Sequence, residues 1–211
     1  MVARLTRSEQ VERNRERVLA AARRVFMTRG YAGASLDAIA EEAGFSKGVV
    51  YSQFDSKADL FLTLLDRRID ERARRNEAVV SQAAGSRGLL ELLEASMQAL
   101  AREPQWTLLV LEFRTHAALD PELSRRYAVA HARTVESIAT LLRRLFSRAG
   151  LAPGASLDTL AELVLALDAG IALERAARPE ALPTDRVAPL LLRALGFDPE
   201  DARSGHTGEN P

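Results

Sequence analysis

Apolar residues recur along the chain at intervals of three and four positions, and no segment alternates between apolar and polar residues as a half-buried β-strand does. This period is that of an amphipathic α-helix with one face turned to a core. The sequence therefore predicts an all-α protein. Helices are expected over residues 8–29, 36–43, a short segment after Ser46, 57–82, 89–101, 104–119, 121–149, 157–177 and 184–195.

Serine residues mark the starts of three of these helices. Ser35, Ser46 and Ser56 each precede a helical stripe, where a serine hydroxyl can accept a hydrogen bond from the unpaired amides of the first turn. Gly44 suits a sharp turn between the first two, because glycine readily takes a positive φ. A helix, a tight turn and a second short helix form a helix-turn-helix, which places its second helix in the major groove of DNA.

Positive charge is concentrated in the same part of the chain. The formal net charge of the whole chain is zero, but residues 1–29 carry eight arginines against three glutamates, a net charge of +5. The two lysines of the chain, Lys47 and Lys57, both lie in or beside the predicted helix-turn-helix. A basic segment joined to a mildly acidic remainder is typical of a DNA reader attached to another domain, with chance as the alternative explanation.

The second helix of the motif carries residue types that contact DNA. Gly48 permits close approach of the backbone, the Tyr51 hydroxyl can donate to a phosphate oxygen, and Gln53 can bond a base edge or a phosphate. Lys57 adds charge beside the unpaired amides of the next helix, which suits a phosphate. The alternative is a turn between core helices, with Tyr51 and Phe54 as packing aromatics. The predicted DNA-binding residues are Ser35, Ser46, Lys47, Gly48, Val49, Tyr51, Gln53 and Lys57.

Several short motifs occur in a fixed order between residues 17 and 68. They are Phe26 with Gly30 and Tyr31, Ser35 followed by Leu36-Asp37-Ala38-Ile39-Ala40, Ala43-Gly44, Ser46-Lys47-Gly48, Tyr51 spaced from Phe54, and Ser56-Lys57. In this combination the segment resembles the tetracycline-repressor (TetR) family of bacterial regulators. Ser35 stands where the family more often has threonine, and Gln53 where histidine or tyrosine is common; both departures bear on operator preference.

The resemblance implies an all-helical dimer in which ligand binding separates two DNA-binding units and releases the operator. On this basis we expect a three-helix, helix-turn-helix DNA-binding domain over residues 8–55. A helical ligand-binding and dimerisation domain is expected over residues 56–197. Residues 198–211 are polar, glycine-rich and aperiodic, and are predicted to form a disordered tail.

A few polar and aromatic side chains interrupt the apolar faces of the later helices. A pocket for a mostly apolar ligand needs some convergent polar groups, and aromatic rings can form its walls. The predicted ligand-binding residues are Trp106, Phe113, Tyr127, His131 and Asp168. The alternative is an ordinary core, since apolar stripes at helical spacing usually pack against neighbouring helices.

Two further stripes, on the helices predicted over residues 157–177 and 184–195, mix large apolar residues with alanine and glycine. Small residues allow helices to approach closely, so two such helices from each of two chains can form a four-helix bundle. The alternative is that the same stripes are buried within one chain. The predicted dimer interface comprises Leu160, Val164, Leu167, Ile171, Val187, Leu190 and Leu191.

Other classes of protein lack support in the sequence. The chain has no cysteine, no apolar run long enough to span a membrane and no recognisable signal peptide, so we expect a cytoplasmic protein without a membrane partner. The three histidines lack metal-ligand spacing, and no phosphate-binding loop or hydrolase motif is present. We therefore expect neither an enzyme nor a cofactor or metal site.

These features together predict a ligand-responsive transcriptional regulator. We expect a repressor that binds a pseudo-palindromic operator in double-stranded DNA as a homodimer. A small, mostly apolar effector molecule is expected to release it. The alternative is a DNA-binding protein or an activator that needs no ligand.

Overall fold

The computed structural model of the protein describes residues 6–82, 85–150 and 152–194, and all regular structure among them is helical. The prediction of an all-α protein is thereby confirmed. The tail predicted over residues 198–211 lies outside the described residues. The helices are α1 (Arg7–Gly33), α2 (Leu36–Ala43), α3 (Lys47–Tyr51), α4 (Lys57–Gln82), α5 (Gly85–Arg102), α6 (Pro104–Ala117), α7 (Pro121–Ala149), α8 (Leu157–Ala177) and α9 (Thr184–Ala194).

Most helix boundaries agree with the sequence pattern, and the exceptions have local causes. α1 is interrupted at Gly30, whose φ of 69° and ψ of 177° are not helical, so the predicted stop there is real and a separate short turn follows it. α5 begins at Gly85, before the predicted start at residue 89. α6 ends at Ala117, where the amides of Leu119 and Asp120 bond the carbonyl oxygens three residues back and close a turn.

The first compact unit comprises Met1–Arg68 together with Leu109–Ala130. Its centre is an aromatic cluster: the rings of Phe61 and Phe113 stack with centroids 4.2 Å apart, and Tyr31 meets Phe113 edge-on at 4.8 Å. Phe26 adds an edge-on contact with Phe61 at 5.5 Å. Burial of such rings is a large favourable term. Parts of α6 and α7 therefore belong to the core that supports α1 to α3.

The second compact unit comprises Ile69–Leu108 and His131–Pro211. Its core is formed by apolar side chains of α5, α7, α8 and α9, including Met97, Leu145, Ala172 and Leu192. Arg175 braces the connection between α8 and α9, because its guanidinium donates to the carbonyl oxygens of Ala181 at 3.2 Å and Leu182 at 2.7 Å. The last two helices are thus fixed within this unit.

Candidate nucleic-acid interface

The turn between α2 and α3 has the geometry that its sequence predicts. The Ser35 hydroxyl accepts a hydrogen bond from the Ala38 amide at 3.2 Å, so Ser35 caps α2. Gly44 has a φ of 68° and a ψ of 36°, the left-handed conformation that glycine adopts at least cost. Leu36, Ile39 and Ala43 are buried beneath α2, which holds the motif on α1.

α3 presents one buried and one exposed side. Val50 is fully buried, and Phe54 just beyond the helix is 1% exposed, so these two apolar side chains anchor it. On the other side Ser46, Lys47 and Gly48 are exposed, and Tyr51 is 53% exposed. Ser46 makes no capping hydrogen bond with its side chain, although it occupies the N-cap position. α3 is therefore anchored by two buried apolar residues and exposes its polar residues. This arrangement suits insertion into the major groove.

Lys47 is oriented by Asp37 on α2. Its ammonium is hydrogen-bonded to the Asp37 carboxylate in an exposed ion pair. This hydrogen bond raises the pKa of Lys47. Asp37 therefore sets the position of a positive charge at the start of α3, a role that the sequence analysis did not identify.

Lys57 lies in the first turn of α4, as the sequence predicts, and its ammonium turns to the backbone before α2. Its ammonium donates to the backbone oxygens of Tyr31 at 2.8 Å, Ala34 at 3.0 Å and Ala32 at 3.4 Å, and lies 4.5 Å from the centre of the Tyr31 ring. Burial lowers the pKa of Lys57. Because an ammonium has three donors, these carbonyl groups account for all of them. The predicted phosphate contact of Lys57 stays a prediction.

The remaining predicted positions, Val49 and Gln53, are half-buried. The backbone oxygen of Gln53 accepts a hydrogen bond from Arg15 at 3.1 Å, and the Arg15 guanidinium lies 4.3 Å from the centre of the Phe54 ring. The side-chain Oε1 of Gln53 is buried without a hydrogen-bond partner in the described part of the chain. A buried acceptor left unpaired is unfavourable, so the present position of this amide is a costly one.

Arg15 and Arg17 of α1 are structural residues that the sequence analysis missed. Arg17 donates to the carbonyl oxygen of Ala43 at 3.0 Å and lies over the Phe45 ring, so it closes the end of α2. Arg15 closes the end of α3 in the same manner. Part of the arginine excess in α1 thus has a structural role in closing the ends of α2 and α3.

Comparison with known proteins identifies the family. The model of bacterial regulatory proteins of the TetR family matches residues 18–64, which contain the helix-turn-helix. The model of the C-terminal region of BetI-type transcriptional repressors matches residues 86–196, more than half of the chain. The chain belongs to the TetR family. It is a DNA-binding transcriptional regulator.

The TetR-family relatives of the chain include both an activator and repressors. The chain is 30% identical over 142 residues to the transcriptional activator FasR of Mycolicibacterium smegmatis, covering 67% of this chain and 62% of FasR. The chain is 29% identical over 142 residues to the repressor AcnR of Corynebacterium diphtheriae, covering 67% of this chain and 68% of AcnR. The match thus spans less than two thirds of FasR.

Solved structures share the TetR fold along nearly their whole length. The structure of FadR from Bacillus subtilis, a complex with stearoyl-CoA, has a TM-score of 0.70 at 16% identity, covering 86% of this chain and 97% of FadR. A transcriptional regulator from Rhodococcus sp. Rha1 has a TM-score of 0.64 at 25% identity, covering 86% of this chain and 93% of that regulator.

None of the described helices of our chain is sufficiently long and apolar to cross a membrane.

The predicted ligand-binding residues are divided between the two units of this TetR-family chain. Phe113 and Tyr127 lie in the first unit, with ring centres 5.8 Å apart. Trp106, His131 and Asp168 lie in the second, where Asp168 binds Arg72 at 2.7 Å. None of the five lines the cleft of about 330 Å³ between α4 and α7, whose walls carry Asp70, Glu77, Arg133 and Glu136. Ile69, Ala73 and Leu141 also line that cleft, so its walls are partly charged and partly apolar.

The predicted dimer residues also differ in exposure. Ile171 is 4% exposed and belongs to the core of its own chain, as the alternative interpretation of the stripes expected. Leu160, Val164, Val187 and Leu191 are partly buried against the same core. Leu167 and Leu190 are 41% and 61% exposed, and they are joined by Leu163 at 53% and Leu173 at 54%. The exposed stripe is thus shifted around α8 from the predicted one.

The two lysines should respond differently to the same substitution. We expect Lys57→Met to lower the free energy of unfolding by about 1–3 kcal/mol, because it leaves part-buried carbonyl groups without their charged donor. Lys47→Met should leave stability unchanged and lower the salt slope of DNA binding by about one unit. Urea denaturation and a salt titration on duplex DNA measure the two quantities. A lower salt slope for Lys57→Met would instead favour its predicted phosphate contact.

Proposed function

We propose that the protein is a repressor that binds a pseudo-palindromic operator as a homodimer and is released by a small, mostly apolar molecule. The observation that carries this proposal is α3, whose polar side is exposed while Val50 and Phe54 anchor its base. The family model over residues 86–196 is that of a repressor, and AcnR is a repressor. An activator is the second candidate, because FasR is an activator.

The exposed stripe on α8 supports the dimer. Leu163, Leu167 and Gly170 follow one another on one helical face, and a Cβ added at Gly170 would meet no atom within 4 Å. Leu190 of α9 is a further exposed leucine in this unit. Exposed leucines grouped on one helical face favour an interaction site, and a two-fold axis allows the same stripe to bind its own copy. Two copies would present two α3 helices to successive major grooves.

The effector proposal rests on the family and on chemistry. FadR, which shares the fold, was solved with stearoyl-CoA, so a long acyl chain is a suitable first probe. Trp106 is a buried aromatic side chain of the second unit and remains a candidate contact for an apolar effector. An effector releases DNA only if it binds more tightly to the state with low operator affinity.

Selection of duplexes from a random-sequence library tests operator binding. We expect the enriched motif to contain two inverted half-sites whose centres are about one helical turn, or a multiple of it, apart. The symmetry follows from a two-fold dimer with one recognition helix per half-site. Enrichment of a single half-site without symmetry would contradict dimeric binding. Replacement of Gly48 by leucine serves as the control, since it obstructs the approach of α3 to DNA.

Substitution of the exposed leucines tests the interface. We expect Leu163→Arg combined with Leu167→Arg to give a folded monomer in sedimentation velocity, because both side chains are more than 40% exposed in the single chain. An arginine pair facing its own copy in a dimer seam is unfavourable. Val129→Arg is the matched control, because Val129 is 66% exposed on α7. A dimer that survives in the double variant would place the interface elsewhere.

A thermal-shift assay with stearoyl-CoA, and with CoA lacking an acyl chain as the control, tests the effector. A ligand at about 100 times its Kd stabilises the protein by about 2.7 kcal/mol. We expect the acylated compound alone to raise the melting temperature and to weaken binding to the selected duplex. Stabilisation without any change in DNA affinity would contradict release by this compound.

A further inference from the structure

The connection between α1 and α2 is held by a carboxylate from α6. After the break at Gly30, the amides of Tyr31 and Ala32 begin a new turn, where the first amides of a turn lack helical partners. Glu112 supplies them: Oε2 accepts from the Tyr31 amide at 2.9 Å, and Oε1 accepts from the Ala32 amide at 2.9 Å. One carboxylate thus binds two consecutive amides, one with each oxygen.

Gly30 makes this contact possible in two ways. Its φ of 69° lies in the left-handed region, which side chains disfavour. In addition, a Cβ at this position would lie 2.7 Å from Oε2 of Glu112, closer than the two atoms can approach. The glycine and the glutamate therefore depend on each other, although they are far apart in the sequence.

A lysine holds the other side of the same connection. While Glu112 accepts from two amides, Lys57 of α4 donates to the carbonyl oxygens of Tyr31 and Ala34. The negative charge of Glu112 acts on Lys57 and favours its charged form. Residues 31–34 are therefore fixed through both their donors and their acceptors, by two side chains of opposite charge from two helices outside the helix-turn-helix.

Phe113, the residue next to Glu112, fixes how closely α6 packs against α4. Phe113 is fully buried and stacks on Phe61 with ring centres 4.2 Å apart. This packing leaves α6 little freedom to slide. A movement of about 1 Å along its axis would stretch hydrogen bonds of ordinary length beyond the range in which they are strong.

We infer that Glu112 is a positioning residue for DNA binding: it fixes the angle at which α2 leaves α1, and with it the placement of α3. α2 begins only a few residues after the two amides that Glu112 binds, and α3 follows α2 across a tight turn. A change at residues 31–34 is therefore carried to the exposed side of α3. The inference rests on the DNA binding proposed above, and it gives a role to a residue that contacts no DNA.

Whether Glu112→Gln strengthens or weakens DNA binding distinguishes a positioning role from a purely electrostatic one. Glu112→Gln removes a negative charge from the DNA-binding unit, and electrostatics alone would then strengthen binding to every duplex. Loss of positioning should instead weaken binding to the selected duplex, since glutamine offers one acceptor oxygen in place of two. Glu122→Gln is the matched control, because Glu122 lies in the same unit and its ion pair is with Arg125 on its own helix.

The experiment compares the full-length wild type, Glu112→Gln and Glu122→Gln on two duplexes, one selected by the wild type and one of random sequence. We expect Glu112→Gln to bind the selected duplex about tenfold more weakly, the cost of one lost hydrogen bond to a charged group, with no loss on random DNA. Glu122→Gln should show no such loss. Hydrogen exchange of the Tyr31 and Ala32 amides should be faster in Glu112→Gln alone.

The affinity for the selected duplex divided by the affinity for random DNA distinguishes a positioning role from a purely structural one. Partial unfolding would lower both affinities by the same factor, so an unchanged ratio in Glu112→Gln would overturn the inference and leave a purely structural role. If that variant does not fold, Glu112→Asp takes its place: its carboxylate is one methylene shorter, so we expect the ratio to fall, and an unchanged ratio would again overturn the inference. A wild type that selects no duplex would overturn the proposed function first, and the inference with it.

Discussion

Packing of the Phe113 ring against Phe61 and Tyr31 ties a helix from the middle of the chain to the helices at its start. The three rings remove a large apolar area from water, and their edge-on and stacked contacts define how α6 lies on α1 and α4. The hydrogen bonds of Glu112 and Lys57 to residues 31–34 form only because this packing brings their helices close. The connection between α1 and α2 therefore depends on burial of aromatic rings in the core of the first unit.

α3 shows how neighbouring residues keep a very short helix folded. Five residues cannot form a stable helix by themselves, because nucleation of a helix is costly. Burial of Val50 and Phe54 offsets this cost. Arg15 and Arg17 close the ends of α3 and α2 with hydrogen bonds. The polar residues at the start of α3 remain exposed, and Lys47 among them pairs with Asp37.

In the second unit, α8 has one side buried in the core of its own chain and another side exposed. α8 is apolar on most of its surface, so its sequence pattern does not say which side faces the core of its own chain. The fold assigns Ala161, Ile171 and Ala172 to that core and leaves Leu163, Leu167 and Leu173 exposed. The same ambiguity affects Phe113, which periodicity allows as a pocket wall and packing places in an aromatic core.

Local patterns in the sequence were sufficient for the helices, for the Ser35 cap and for the left-handed Gly44, because each depends on a few neighbouring residues. The exposed polar side of α3 followed from the same patterns. Tertiary structure alone decided that Lys57 binds carbonyl groups, that Glu112 binds the amides after Gly30, and which leucines of α8 face solvent. These facts join residues that are tens of positions apart, and helical periodicity carries no information about which distant faces meet.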